Sequence, residues 1–109
     1  MNQSIALIAL MLIAGSHSAA GELFGTVKEE GKALPKGVKV EVVSLLKTYS
    51  TETDNYGSYR LYIPEKGKCT LKLIHKKQTP TLDIFSYEKS TRYDLLLETK
   101  DGKLTLRRK

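Results

Sequence analysis

Cysteine is nearly absent from this chain of 109 residues: Cys69 is the only one, so no internal disulfide can form. An odd cysteine in an exported chain points to an intermolecular bridge or a free thiol. Here Cys69 begins the alternation Cys69, Leu71, Leu73, which predicts a small apolar residue facing a core. Histidine is almost as scarce, and after Ala20 only His75 remains. A metallopeptidase needs clustered His and carboxylate ligands. A Ser-His-Asp arrangement would have to use the same imidazole, with no Gly-x-Ser-x-Gly elbow beside it. No catalytic residue, metal site or cofactor is therefore expected, and the chain does not read as an enzyme. Helical periodicity is also missing after residue 20, as are internal repeats and low-complexity linkers.

Acidic and basic residues are absent from the first twenty positions. Ile5 to Ala14 is almost wholly apolar, and Ser18-Ala19-Ala20 supplies small residues before Gly21. This pattern predicts a signal peptide over residues 1–20, cut after Ala20, although Met1-Asn2-Gln3-Ser4 lacks the usual Lys or Arg. The apolar run falls short of the roughly 20 residues a membrane helix needs, so no transmembrane span is expected in the mature chain. Leu12-Ile13-Ala14-Gly15 approaches a lipoprotein cleavage box, but Ser16 stands where the lipidated cysteine would be. The expectation is an exported periplasmic or extracellular protein of residues 21–109, large enough for one small core. All 18 Lys and Arg and all 12 Asp and Glu fall in this part, which therefore carries the formal charge of +6. Such a surface suits anionic partners, yet the basic residues are spread out except at Lys76-Lys77 and Arg107-Arg108-Lys109.

What is present is a series of short alternating runs divided by turn signals. Glu22 to Lys28 reads as a first strand with Leu23 or Phe24 inward. Glu29 to Gly37 reads as a loop. Val38, Val40 and Val42 alternate with Lys39 and Glu41, the clearest inside–outside pattern in the chain. Leu45 to Thr53 and Ser58 to Ile63 read as the next two strands, followed by Cys69 to Lys76, Thr81 to Tyr87 and Arg92 to Glu98. Asp101-Gly102 marks a tight hairpin before Leu104-Thr105-Leu106. Strands recurring every eight to twelve residues predict an all-β sandwich of about seven strands plus a C-terminal hairpin. That hairpin could form a basic edge, which would discourage aggregation or augment a partner's sheet.

Between two of these strands lies Thr53-Asp54-Asn55-Tyr56-Gly57-Ser58-Tyr59. Asp54 and Asn55 are turn formers and Gly57 tolerates positive φ, so Thr53, Asp54, Gly57 and Tyr59 are expected to build a structural corner. Gly25-Thr26-Val27, Leu34-Pro35-Lys36-Gly37, Val38 to Val42, this corner and Cys69 to Leu73 occur in an order that resembles the carboxypeptidase regulatory-like domain family. The resemblance covers roughly Leu23 to Leu97 and implies a small Greek-key-type, transthyretin-like β-sandwich that is non-catalytic. It implies an envelope interaction module, with an unidentified envelope protein or polysaccharide as partner. Related folds bind carbohydrate, which makes a carbohydrate-binding module the alternative and Tyr49, Tyr56 and Tyr62 the candidate stacking residues. A structural or assembly subunit acting through its sheet edges is the third reading. Nucleic acid is not expected as a partner of an exported chain. The Tyr-Arg-Gly-Ser ending of transthyretin-like purine hydrolases is missing, since this chain ends Leu106-Arg107-Arg108-Lys109. An isopeptide bond from Lys28 or Lys39 to Asp94, as in related surface domains, is disfavoured by the outward alternation of both lysines.

Overall fold

The computed structural model describes residues 21–109, and the leader expected over residues 1–20 lies outside the described residues. Ten strands are assigned among them: β1 Glu22–Glu29, β2 Lys32–Ala33, β3 Lys39–Val43, β4 Thr48–Glu52, β5 Ser58–Tyr62, β6 Gly67–Ile74, β7 Thr81–Ser86, β8 Thr91–Arg92, β9 Leu95–Lys100 and β10 Lys103–Arg108. They form two sheets with no helix among the described residues, an all-β sandwich. One sheet is built on β1, which pairs with β5 and β2 and with β8 and β9; β9 in turn pairs with β10. The other runs β4-β3-β6-β7 and is antiparallel throughout. No helix of the described residues is long and apolar enough to cross a membrane.

Alternation sets which residues meet between the sheets. Leu23 and Val27 face in from β1, and Tyr59 and Leu61 from β5. Val40, Val42, Leu71, Leu73 and Ile84 face them from the second sheet. Cys69 is buried in this layer, and desolvation pushes its thiol pKa up, as an inert apolar cysteine requires. The C-terminal hairpin adds Leu104 and Leu106 to the same core, so it belongs to the sandwich and forms the edge of the first sheet.

Three boundaries differ from the sequence expectation, each for a local reason. The loop from Glu29 to Gly37 contains β2, a two-residue strand folded back on β1 with Lys28 opposite Ala33. Leu45 and Leu46 are not in a strand. Ser44 N–H donates to the Lys47 carbonyl (2.8 Å), and Ser44 Oγ accepts from the N–H groups of Leu46 (3.2 Å) and Lys47 (3.1 Å). A serine that bonds the backbone ahead of it closes a turn in place of a ladder, so β4 starts only at Thr48. The run from Arg92 to Glu98 is interrupted at Tyr93-Asp94, where the Asp94 carboxylate, rather than a strand carbonyl, accepts the Thr26 N–H (3.0 Å).

Candidate functional site

The Thr53–Tyr59 corner carries β4 of one sheet into β5 of the other. Thr53 is buried; its Oγ1 accepts the Val38 N–H (3.0 Å) and donates to the Pro35 carbonyl (2.7 Å). Asp54 Oδ1 accepts the N–H groups of Tyr56 (2.8 Å) and Ser58 (2.9 Å). These bonds hold the Asp54 carboxyl below the ordinary aspartate range, the Ser58 contact most strongly. Gly57 has φ +72° and gives its carbonyl to the Val27 N–H (2.9 Å). A Cβ there would sit 2.8 Å from the Val27 oxygen and 2.9 Å from the Leu34 nitrogen. Tyr59 stands opposite Gly25 in the ladder, and its hydroxyl donates to the Tyr93 carbonyl (2.7 Å). That carbonyl lies over Gly25, where a Cβ would meet it at 2.1 Å. Tyr93 then passes the connection to the second sheet, its hydroxyl donating to the Phe85 carbonyl and accepting the Phe85 N–H, both at 3.0 Å. All four corner residues thus act on the backbone around them.

On the outer side of the first sheet, the register builds something else. Phe24 of β1 is flanked by its direct partners Arg60 of β5 and Arg92 of β8. The two guanidinium carbons lie 5.2 and 5.8 Å from its ring centroid, within cation–π range. Arg60 also pairs with Glu22 (2.7 Å), and Arg92 Nε donates to both oxygens of Asp94 (3.1 and 2.9 Å). Partial burial pushes the Asp94 carboxyl up, but the hydrogen bonds from Arg92, Thr26 N–H and Thr26 Oγ1 outweigh it and leave it below the usual range. Phe24, Thr26, Thr51, Ser58, Arg60 and Arg92 line an open cleft of about 520 Å³, whose far side carries the carboxylates of Glu52 and Asp54. Aromatic, hydroxyl and guanidinium groups converge there, the combination that binds a carboxylate, phosphate or sulfate on a larger ligand.

Of the three tyrosines considered for stacking, Tyr56 stands apart from Tyr62: Tyr56 lies in the turn before β5 and Tyr62 ends that strand, whose four steps alone rise roughly 13 Å. Both are exposed. Tyr49 is half-buried against the core, and its hydroxyl donates to Glu65 (2.7 Å to each oxygen). Burial and this carboxylate push its pKa up to about 12. His75 sits at the end of β6 against Glu29 (3.3 Å). No group of three His, Cys, Asp or Glu that could hold a metal occurs among the described residues. Asp94 is bonded to Thr26 and Arg92, while Lys39 pairs with Glu41 in the other sheet, so no Lys39–Asp94 link is in place.

Sequence reasoning missed the Phe24–Arg60–Arg92 group. The parity of β5 held the signal for Arg60; nothing local linked it to Arg92. No protein-family model matches this chain, and no curated protein matches it.

Proposed function

We propose that this chain is an exported, non-catalytic interaction module of the cell envelope, related to the carboxypeptidase regulatory-like domains, and that its cleft takes an anionic group of an envelope polymer. The observation that carries this reading is the placement of Arg60 and Arg92 on either side of Phe24, at an open cleft lined with hydroxyls. Arg92 commits only its Nε to Asp94, and the terminal nitrogens take no part in that bond. A planar, permanently charged donor beside an aromatic face suits a carboxylate or phosphate carried on a sugar ring.

The non-catalytic part of the reading is supported by Asp54, which lines the cleft beside Glu52, and by Asp94, which holds Arg92. Both accept backbone N–H groups and are held low in pKa, which favours a fixed, ionised carboxylate over a proton-transfer role. The alternative, a carbohydrate-binding module that stacks sugars on Tyr49, Tyr56 and Tyr62, would have to work with Tyr49 half-buried and Tyr56 beyond the other end of β5 from Tyr62.

Retention of the protein by an envelope extract, with and without prior protease treatment, tests the proposal. The expected result is retention that survives protease, falls with salt and drops roughly tenfold in Arg60→Ala/Arg92→Ala. Retention that protease abolishes, or that the double variant leaves unchanged, overturns the anionic-polymer reading.

A further inference from the structure

Away from the cleft, one end of the sandwich gathers the Ser44–Lys47 turn, the Pro64–Lys66 turn and the Tyr87–Lys89 turn. Bonds tie them together: Ser44 Oγ donates to Glu65 (2.8 Å), Lys66 pairs with Glu88 (3.5 Å), and the Glu88 carbonyl accepts the N–H of Gly21 (2.9 Å). The turn that displays Leu45 and Leu46 is therefore rigid. Both leucines are nevertheless in solvent, 96% and 77% exposed. At the same end of the sheet, two strands away in the order β4-β3-β6-β7, Phe85 and Tyr87 stack on one another at 6.2 Å and are exposed as well, as is part of Val43. Exposed large apolar groups concentrated in this way mark an interaction surface.

Charge identifies the occupant. Leu45 and Leu46 project from the turn over a shallow, mainly apolar cleft that Val43, Thr70 and residues 65–69 line. Lys47, Lys66, Lys68 and Lys89 surround this tip, all exposed. Lys66 and Lys68 are paired with Glu88 and Asp83, whereas Lys47 and Lys89 form no ion pair among the described residues. Glu65 is turned to Tyr49 and Ser44. Leucines at an apex, aromatics at the same end of the sheet and lysines at the rim match the layers of a bilayer interface: acyl boundary, headgroup level and phosphates.

We propose that this tip docks on an anionic phospholipid surface, with Leu45 and Leu46 entering the headgroup–acyl boundary and Lys47 and Lys89 holding lipid phosphates. The surface is separate from the Phe24 cleft, so either proposal can fail without the other.

The test is co-sedimentation of the full chain with phosphatidylcholine vesicles, with and without phosphatidylglycerol. It is paired with a polarity-sensitive dye on Leu46→Cys, the native chain with its buried Cys69 serving as labelling control. Expected are a preference for phosphatidylglycerol that salt weakens, and a blue shift of the dye on binding. Binding should fall roughly tenfold or more in Leu45→Ser/Leu46→Ser, and the preference should vanish in Lys47→Glu/Lys89→Glu. The leucine variant keeps its fold, since Ser44 and not the leucines closes the turn; an unchanged Tm checks this. Vesicle binding that the leucine variant retains in full, or a dye at position 46 that stays in water while the chain sediments, overturns the proposal.

Discussion

At one end of the sandwich the Thr53–Tyr59 corner turns Thr53 and Tyr59 into the fold; at the other the Ser44–Lys47 turn buries only Ser44 and shows Leu45, Leu46 and Lys47 to solvent. Both reverse the chain through a side-chain oxygen that accepts two backbone N–H groups, Asp54 in the first and Ser44 in the second. The corner is then packed over: Thr53 is buried, and Gly57 lies against Val27 and Leu34. Leu45 and Leu46 stay largely in solvent. The difference teaches that Thr53, Asp54, Gly57 and Tyr59 are dictated by the backbone they touch, whereas in the tip turn only Ser44 and its partner Glu65 are so dictated. The two leucines carry no such duty in the turn, which leaves them available for the docking proposed above.

Substitutions can sharpen that contrast. The largest effect is expected from Gly57→Ala, which combines a left-handed backbone with a Cβ 2.8 Å from the Val27 oxygen. It should cost about 3 kcal/mol or more in urea unfolding. A loss below about 1 kcal/mol, the usual Gly-to-Ala scale, would show that the corner is no tighter than the tip. Ser44→Ala should cost less, about 1–2 kcal/mol, because it strips acceptors from two partly exposed N–H groups. Hydrogen exchange at Leu46 and Lys47 should rise by more than that at Tyr56 and Ser58; equal rises at both ends would break the comparison.

The smallest effect appears in acid. Asp54 at the corner is held low by the Ser58 and Tyr56 N–H groups, and Glu65 at the tip is held low by the Tyr49 hydroxyl. A folded-state pKa below the unfolded value, about 3.9 for Asp and 4.3 for Glu, gives stability that is present above the unfolded pKa. That stability is lost as pH falls through the folded one. The acid limb of the Tm profile should therefore flatten in Asp54→Asn and in Glu65→Gln. A limb as steep as that of the native chain in both variants would show that neither carboxylate is linked to folding.

Much of the sandwich could be read from alternation, because period two is a property of neighbouring residues: Val38, Val40 and Val42 are buried and Lys39 is exposed. The strand-like run at Leu45-Leu46 misled, because the turn there depends on a serine whose carboxylate partner lies 21 positions on. The break at Asp94 was hidden for the same reason, since its partner Thr26 is 68 positions away. Phe24, Arg60 and Arg92 come from three strands and meet only through register, which no local pattern encodes. The Thr53–Tyr59 corner was legible because its turn chemistry is contained within seven consecutive residues.

The pairing of β1 has a consequence in time. Its first half lies against β5, but Val27, Lys28 and Glu29 wait for Leu95, Leu96 and Leu97, in parallel. Closing that ladder means joining residues some 68 positions apart, the kind of long-range contact that slows folding. A chain emerging amino end first can assemble the β3–β4 and β6–β7 hairpins early. One edge of β1 stays open from Val27 to Glu29 until β9 is free, so the nascent protein spends much of its emergence with part of its central strand unpaired, the state in which a holding chaperone would find it.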